Sequence, residues 1–287
     1  MQGQLNEALG EHGLAPVAPP ARVLGGDICD AWRVDTDTGR VFLKTLGATH
    51  AGVLESEAAG LEAIADTRTL RVPKVLGQGT TPDTAWLALE WLDLGGGGRD
   101  AEHALGTQLA AMHRHTAERH GWHEDNWIGR TTQPNEWCDD WTTFFAEHRL
   151  RHQLELACEA GFGNLLRAPG DALLERLPEL LAGHVPEPSL LHGDLWGGNW
   201  GVADSKPVIF DPAVYYGDRE ADLAMTRLFG GFGSSFYEAY ESAWPLSPGA
   251  SRRDALYRLY HVLNHANLFG GGYVSQAAGL MQSLITK

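Results

Sequence analysis

Residues 190 to 200, LLHGDLWGGNW, dominate the interpretation of this 287-residue sequence because they place several polar side chains directly behind an apolar run. Asp194 and Asn199 stand five residues apart in this stretch, and Asp211 follows the next apolar run, VIF. Gly, Asp, Asn and Pro also favour turns for local backbone reasons, so ordinary turn chemistry is the alternative interpretation. Three spaced oxygen-bearing side chains between apolar strands favour a functional site instead.

The same spacing matches the catalytic loop of kinases. In that loop an Asp accepts the proton of the substrate hydroxyl, and an Asn five residues later holds Mg²⁺. Asp211 stands where the second metal-binding Asp would follow, at the end of the strand that returns from a predicted hairpin. Asp194, Asn199 and Asp211 could therefore converge on a hard cation, which prefers oxygen ligands.

A phosphotransferase also needs a cation for the nucleotide phosphates, and Lys44 at the end of the run VFLK is the candidate. Lys44 falls on the strand face of Phe42, where an unpaired ammonium would be costly, so it needs an acidic partner. On the next predicted helix, Glu57 shares an apolar stripe with Leu54, whereas Glu55 falls on another face. This pattern predicts the Lys–Glu ion pair of kinases. For Lys44 alone, a surface lysine at a strand edge is the alternative.

Two further segments are placed like nucleotide-binding elements. Gly25 and Gly26 stand at the first turn, where backbone N–H groups could approach a phosphate, although an ordinary hairpin turn is the alternative. Glu90, Trp91 and Leu92 end the last strand before a glycine run, in the position of the linker whose backbone bonds adenine.

Apolar periodicity divides the chain into two parts. Short strand patterns with one inserted helix fill residues 1–92, and the glycine run 95–98 then breaks regular structure. Residues 93–287 are mostly helical in pattern, with one polar-rich β-hairpin around the HGD motif. The predicted fold class is therefore α+β, with the first part as an N-terminal lobe and the second as a C-terminal lobe.

Composition excludes several classes of function. Lys and Arg total 22 against 37 Asp and Glu, and the net charge of -15 disfavours nucleic-acid and membrane-surface partners. Three irregularly spaced cysteines indicate a reducing compartment, and the first residues lack the pattern of a signal peptide. We expect a cytoplasmic protein. Its oligomeric state is open, with a monomer favoured.

With these residues placed, the sequence resembles the fructosamine-3-kinase family, also called ketosamine-3-kinases. The resemblance extends over nearly the whole chain, and HGD with a downstream Asp by itself specifies only the superfamily. The stretches HGDLWGGN, DPAVYYGDRE and QPNEWCDDWTTFF look characteristic of the ketosamine branch. The resemblance implies a bilobal protein-kinase-like fold related to aminoglycoside phosphotransferases.

The resemblance also implies roles for individual residues. Asp194 would be the base, Asn199 and Asp211 the Mg²⁺ ligands, Lys44 with Glu57 the phosphate contacts of ATP, and Glu90 to Leu92 the adenine contacts. The chain departs from the family at the glycine-rich turn. Leu24 stands where a third glycine is usual, and Asp27 stands where some members carry a redox-active cysteine. Cys29 lies two positions later, so thiol regulation is not assumed.

The implied activity is ATP-dependent phosphorylation of the 3-hydroxyl of ketosamines such as fructosamine or ribulosamine, free or on glycated protein lysines, which leads to deglycation. A kinase of another small hydroxylated amine, aminoglycoside-like or choline-like, is the enzyme alternative. A catalytically silent nucleotide-binding module is a further alternative.

Substrate contacts are predicted at Trp196, inside the catalytic loop, and at His265 and Asn267. These two polar residues interrupt the otherwise apolar helical run LNHANLF, where burial would penalise them without a partner. The sugar is one such partner, and bracing of neighbouring loops is the alternative. Asp222 is expected to bond the backbone of the catalytic loop. His113, His115, His120 and His123 are expected to be solvated or capping histidines.

Overall fold

The computed structural model describes residues 2–23 and 28–286. Gly25 and Gly26, the predicted phosphate-binding glycines, lie outside the described residues. In chain order the first part contains α1 (Gln2–Glu11), β1 (Ala21–Val23), β2 (Asp30–Thr36), β3 (Gly39–Gly47), α2 (Ala51–Thr67), β4 (Val75–Thr80) and β5 (Thr84–Glu90). The five strands form one antiparallel sheet in the order β1-β2-β3-β5-β4. The strand patterns predict β2 to β5 but not β1.

Alternation along β3 sends its side chains to two different cores. Val41 and Leu43 pack with Leu9 of α1 in a small cluster on one face of the sheet. Phe42 packs against the main core on the other face, which α2 covers. Because successive strand residues point to opposite faces, Lys44 follows Phe42 and turns toward α2.

The remaining chain is mostly helical. Its helices are α3 (Arg99–His113), α4 (Trp141–Phe144), α5 (His152–Ala157), α6 (Gly163–Leu180), α7 (Glu220–Leu228), α8 (Ser234–Ala243), α9 (Ala250–Phe269) and α10 (Gly272–Ile285). Its strands are β6 (Asn126–Ile128), β7 (Thr131–Gln133), β8 (Ser189–Leu191), β9 (Trp200–Ala203), β10 (Lys206–Ile209) and β11 (Tyr215–Gly217). The π-helical turns Phe145–Arg151 and Cys158–Phe162 join α4 to α5 and α5 to α6.

Two small sheets anchor the loop that carries Asp194, and a third lies elsewhere in this part of the chain. β9 pairs with β10 in the predicted hairpin, β8 pairs with β11, and β6 pairs with β7. Asp204 and Ser205 make the β9–β10 turn with φ values of 50° and 63°. The loop from His192 to Asn199 lies between β8 and β9, so each of its ends is anchored in a different sheet.

One continuous hydrophobic core joins the two parts of the chain. It includes Leu61 of α2 and Leu87 of β5 together with Leu109 of α3 and Leu263 of α9. The α+β fold class is confirmed, whereas the division at residues 92 and 93 stays a prediction. None of the helices among residues 2–23 and 28–286 has the length and hydropathy needed to span a membrane.

Candidate active site

A buried carboxylate on α7 holds the backbone of the loop that carries Asp194. Asp222 accepts hydrogen bonds from the N–H groups of His192 at 2.7 Å and Gly193 at 2.8 Å, which confirms the role predicted for it. His113 Nε2 lies 3.1 Å from the same carboxylate, and its Nδ1 lies 2.8 Å from the hydroxyl of Tyr240. The expectation of a solvated or capping histidine is therefore wrong for His113, as it is for the buried His120. The His113 side chain is fully buried as a brace for Asp222.

The conformation of this loop depends on Gly193 and His192. Gly193 has a φ of 82°, and a Cβ there would collide with the carbonyl oxygen of Ala213. His192 Nε2 donates to the carbonyl oxygen of Phe210 at 3.0 Å, so its Nδ1 is free to accept the N–H of Asp194 at 3.2 Å. Burial lowers the pKa of His192, which keeps the ring neutral in this arrangement.

Asp194 and Asn199 face each other across the loop. The Asn199 amide nitrogen donates to the Asp194 carbonyl at 2.9 Å and lies 3.4 Å from a carboxylate oxygen of Asp194. Burial, with the negative charges of Asp211 and Asp222, raises the pKa of Asp194 well above its usual value. A carboxylate whose pKa is raised toward neutrality is suited to accept a proton as a general base.

Lys44 joins the sheet, α2 and Asp211. Its Nζ donates to Glu57 Oε1 at 2.7 Å and to Asp211 Oδ1 at 2.6 Å. Burial opposes the charged ammonium, but the carboxylates of Asp211 and Glu57 outweigh it and raise the pKa of Lys44. Glu57 is buried and Glu55 is exposed, as the helical periodicity predicts.

Asp211 has the features of a metal-binding carboxylate. Its φ of 59° is unusual for a residue other than glycine, and strain of this kind clusters at functional sites. Its side chain is 42% exposed, and among the described residues none donates to its second carboxylate oxygen. Because Asn199 turns its amide nitrogen toward Asp194, its amide oxygen is also available. These oxygens are the donor set that Mg²⁺ prefers, so the residues fit the predicted cation.

The segment after β5 offers backbone groups for a purine base. The Glu90 carboxylate accepts a hydrogen bond from Arg71 at 3.2 Å, and the backbone N–H of Glu90 donates to the Lys74 carbonyl at 2.8 Å. Within the described part of the chain, the backbone groups of Trp91 and Leu92 form no hydrogen bond outside the sheet ladder. This arrangement fits an adenine contact at Trp91 and Leu92 better than at Glu90. The adenine contacts stay a prediction.

The three predicted substrate contacts lie in different surroundings. Trp196 is 39% exposed and follows Asp194 by two positions in the chain. His265 is partly buried among aromatic rings, with its Nδ1 donating to the His261 carbonyl at 2.8 Å. Asn267 donates to the backbone and side-chain oxygens of Gln153 at 3.0 and 2.7 Å, which ties α9 to α5. This pairing favours the bracing alternative for Asn267, and its substrate role stays a prediction.

Sequence reasoning missed a buried polar network behind Asp211. Gln133 Nε2 donates to Asn126 Oδ1 at 2.8 Å and to the Ala213 carbonyl at 3.1 Å, and Tyr260 donates to Gln133 Oε1 at 2.6 Å. Arg149, fully buried, extends the network through Pro134 and Asn135. The polar triplet QPN before an aromatic run was the signal, but its partners lie far away in sequence.

A second group of potential metal ligands lies away from this site. His184, Asp218 and Glu220 approach one another closely enough to hold a metal ion. The Asp218 carboxylate already accepts from His184, Tyr257 and the Glu220 backbone, and Glu220 is paired with Arg253. Each carboxylate is therefore engaged by the protein, and the group is a structural brace.

Comparison with known proteins agrees with this geometry. A family model described as fructosamine kinase matches residues 2–287. The chain belongs to the fructosamine kinase family. This kinase is 45% identical over 266 residues to a probable ketoamine kinase of Synechocystis sp., covering 92% of this chain and 89% of the relative. It is 42% identical over 266 residues to the chloroplastic protein-ribulosamine 3-kinase of Arabidopsis thaliana, covering 91% and 81%. The predicted enzyme class, a phosphotransferase, is confirmed.

Solved structures agree on the fold of the kinase. A Haemophilus somnus protein assigned as a fructosamine-3-kinase superposes with a TM-score of 0.91 at 29% identity, covering 99% of this chain and 97% of that one. An aminoglycoside phosphotransferase in complex with ADP and hygromycin B superposes with a TM-score of 0.67 at 15% identity, covering 99% and 98%. The bilobal protein-kinase-like fold is therefore confirmed.

Proposed function

We propose that this kinase transfers the γ-phosphoryl group of ATP to the 3-hydroxyl of ketosamines such as fructosamine or ribulosamine. The observation that carries the proposal is the convergence of Lys44, Glu57 and Asp211 with Asp194 and Asn199, which unites a phosphate-binding cation with a base and cation ligands. The names of the Synechocystis and Arabidopsis relatives support the ketosamine substrate class.

In the proposed reaction, Asp194 accepts the proton of the 3-hydroxyl while the hydroxyl oxygen bonds to the γ-phosphorus of ATP. The bond between that phosphorus and the ADP oxygen breaks in the same step. Lys44 neutralises phosphate charge, and Glu57 keeps the Lys44 ammonium in place. Mg²⁺, for which Asn199 and Asp211 are the proposed ligands, supplies further neutralisation of phosphate charge when bound. Most of the rate enhancement then comes from positioning and electrostatic stabilisation.

The product of this transfer is chemically unstable. In a ketosamine the carbonyl at carbon 2 lies next to the phosphorylated carbon 3, and enolisation toward carbon 1 places the phosphate where it can be eliminated. Hydrolysis of the remaining imine then frees the amine. The kinase would therefore initiate repair of glycated amines or glycated protein lysines without acting as a hydrolase.

A substrate panel tests the proposal. The full-length protein is incubated with Mg²⁺, ATP and either fructosyl-lysine, ribulosyl-lysine or an aminoglycoside, and ³¹P NMR locates the new phosphate. We expect a 3-phosphate on at least one ketosamine. Phosphorylation of the aminoglycoside alone would favour the alternative kinase class. ATP turnover that no acceptor stimulates would favour a silent nucleotide-binding module.

Location and partners form a separate part of the proposal. Three free cysteines, none in a disulfide, accord with the reducing cytoplasm predicted from the sequence. Small ketosamines and glycated lysines on proteins are both proposed substrates. The monomeric state predicted from the sequence is also part of this proposal, and gel filtration of the full chain tests it.

A further inference from the structure

A cluster of aromatic side chains adjoins the loop that carries Asp194. We call it the aromatic patch, and its members are Trp196 of the loop, Phe229 after α7, His265 and Phe269 of α9, and Tyr273 of α10. Contacting ring centroids lie 4.7 to 6.4 Å apart. Among the described residues, the Phe, Trp and Tyr side chains that are exposed all belong to the patch: Trp196 and Phe229 at 39% and Phe269 at 52%. Contiguous exposed apolar surface of this kind marks a binding site more often than solitary exposed side chains do.

Two glycines join the aromatic patch to the catalytic loop. A Cβ on Gly231 would lie 2.6 Å from the Cα of Gly197, so the two loops touch at positions where a larger side chain would not fit. This contact brings Phe229 beside Trp196, with ring centroids 6.3 Å apart. The backbone N–H of Trp196 donates to the backbone carbonyl of Asp194 at 3.2 Å. The patch therefore begins within two residues of the proposed base.

The aromatic patch has the chemistry of a site for an organic cation. Because His265 Nδ1 donates to the His261 carbonyl, the lone pair of its neutral ring lies on Nε2. Burial lowers the pKa of His265, which favours this neutral form. Arginines stack on several aromatic rings elsewhere, but among the described residues no cation lies over a ring of the patch. No cationic side chain of the described residues therefore competes with a cationic ligand for these rings.

We propose that the aromatic patch binds the amine-bearing arm of the ketosamine, with the protonated secondary amine against the ring faces and hydrogen-bonded to His265 Nε2. This inference rests on the proposed function and deepens it. Four covalent bonds separate the 3-hydroxyl oxygen from the amine nitrogen, so the two atoms lie at most about 5 Å apart. In the proposed pose the hydroxyl lies at Asp194, the nitrogen beside Trp196, and the carbon arm over Phe229 and Phe269.

Two more observations favour this occupant. The chain carries a net charge of -15, so its field attracts a positively charged arm. The patch is also open to solvent at Phe269, the most exposed of its rings, so an arm that continues into a larger molecule can leave the site there. A lysine side chain on a glycated protein has this form, with a positive nitrogen followed by a hydrocarbon stem.

A matched pair of acceptors tests the inference. The first is 1-deoxy-1-(butylamino)fructose, and the second is its ether analogue 1-O-butylfructose, which has similar shape but no charge. We expect wild-type kcat/KM to be at least about tenfold higher for the amine. Phe229→Ala, Phe269→Ala and His265→Phe should each raise KM for the amine about fivefold or more and reduce this preference, while KM for ATP stays within about twofold.

Three controls make the result specific. Phe269→Tyr keeps an aromatic ring and should restore wild-type KM. Leu165→Ala removes another exposed apolar side chain, 57% exposed, and should change neither acceptor. Melting temperature and gel filtration of every variant separate lost binding from unfolding or a changed oligomer.

Several outcomes would overturn the inference. Equal use of the two acceptors by the wild type, or an unchanged preference in the patch variants, would refute it while the proposed function stands. A patch variant that altered only the oligomeric state would show instead that this surface contacts another copy of the chain. If the wild type phosphorylated neither acceptor nor any ketosamine of the panel, the proposed function itself would fail.

Discussion

The Asp194 carboxylate is oriented by its neighbours before a substrate binds. The His192 ring accepts the backbone N–H of Asp194, and the Asn199 amide nitrogen lies 3.4 Å from one carboxylate oxygen of Asp194. Burial and the charges of Asp211 and Asp222 raise its pKa, so these contacts orient a carboxylate that has a raised affinity for protons. Hydrogen bonds therefore set the orientation of Asp194, whereas burial and neighbouring charges set its pKa. A substitution can change the orientation without changing the pKa, or the reverse.

Asp194→Asn should abolish phosphoryl transfer and leave nucleotide binding intact. The substitution keeps the size of the side chain but removes the proton acceptor, and general bases contribute about a hundredfold or more to rate. Steady-state kinetics and nucleotide titration measure the two effects. Asp37→Asn, at an exposed turn, is the matched control and should behave as wild type. A loss of less than about tenfold, or about 1.4 kcal/mol of barrier, would contradict the role of Asp194 as base.

His120 makes a pH-dependent contribution to stability. Its ring packs against Trp141 and Phe144, and burial lowers its pKa to about 4. An unfolded histidine titrates near pH 6.5, so below that pH the unfolded chain binds a proton that the folded chain does not. The free energy of unfolding should therefore fall as the pH decreases from about 6.5 to about 4.

His120→Phe keeps an aromatic ring and removes the titrating group. Between pH 8 and pH 5 this variant should lose about 2 kcal/mol less unfolding free energy than the wild type. Urea denaturation at the two pH values measures the difference. His115→Gln, at an exposed position, should keep the wild-type dependence. If His120→Phe also kept it, His120 would not be held neutral.

At the scale of elements, β3 and α2 are joined by one buried ion pair. Lys44 and Glu57 are 5% and 9% exposed, so removing either partner leaves the other charge buried. The strand period brings Lys44 to the α2 face, and the helix period selects Glu57 to meet it. The pair therefore links the orientation of α2 to the position of the phosphate-binding cation.

The ion pair should behave as one unit in a double-mutant cycle. Lys44→Met and Glu57→Gln should each reduce kcat/KM for ATP strongly, and the double variant should lose far less than the sum of the two effects. Glu55→Gln, on the exposed face of the same helix, is the control and should have little effect. Additive losses would show that the two side chains do not act together.

The polar network behind Asp211 joins β7, α9 and the segment that follows Asp211. Gln133→Leu should destabilise the protein by about 2 to 4 kcal/mol because it leaves the Ala213 carbonyl and the Tyr260 hydroxyl without a partner and removes one of the two hydrogen bonds to Asn126 Oδ1. Tyr260→Phe removes one of these groups. The substitution should therefore lower the unfolding free energy less in the Gln133→Leu background than in the wild type.

Urea denaturation of the three variants measures these effects. Thr132→Ala, at the exposed neighbouring position of β7, is the control and should cost about 1 kcal/mol or less. Full additivity of Gln133→Leu and Tyr260→Phe would contradict a shared network.

At the scale of the whole molecule, the proposed nucleotide site draws on both parts of the chain. Lys44 comes from the sheet, whereas Asn199 and Asp211 come from the loops around β9 and β10. A ligand that contacts all of them bridges the two parts and binds only the folded chain. Folding and nucleotide binding should therefore be linked.

Magnesium with a non-hydrolysable ATP analogue should raise the melting temperature. At a free ligand concentration of 100 times Kd the gain is about 2.7 kcal/mol. Asp211→Asn should lose most of the increment that depends on Mg²⁺, and Asp204→Asn, at the exposed β9–β10 turn, should keep it. Differential scanning calorimetry with and without Mg²⁺ measures both. An equal Mg²⁺ increment in Asp211→Asn would contradict Asp211 as a ligand.

The sequence by itself determined the features that depend on local periodicity. The period of two placed Lys44 opposite α2, and the period of 3.6 separated Glu57 from Glu55. Turn residues located the β9–β10 hairpin, and the five-residue spacing from Asp194 to Asn199 predicted a loop in which the two side chains meet. These features could be predicted because each relates residues a few positions apart, whose geometry the backbone dictates.

Only the tertiary structure decided the features that join distant residues. Asp222 meets His113 from 109 residues away, and Gln133 meets Tyr260 from 127 residues away. The aromatic patch likewise gathers rings from one loop, the end of α7 and two helices. No local period encodes such contacts, because the packing of whole helices sets them.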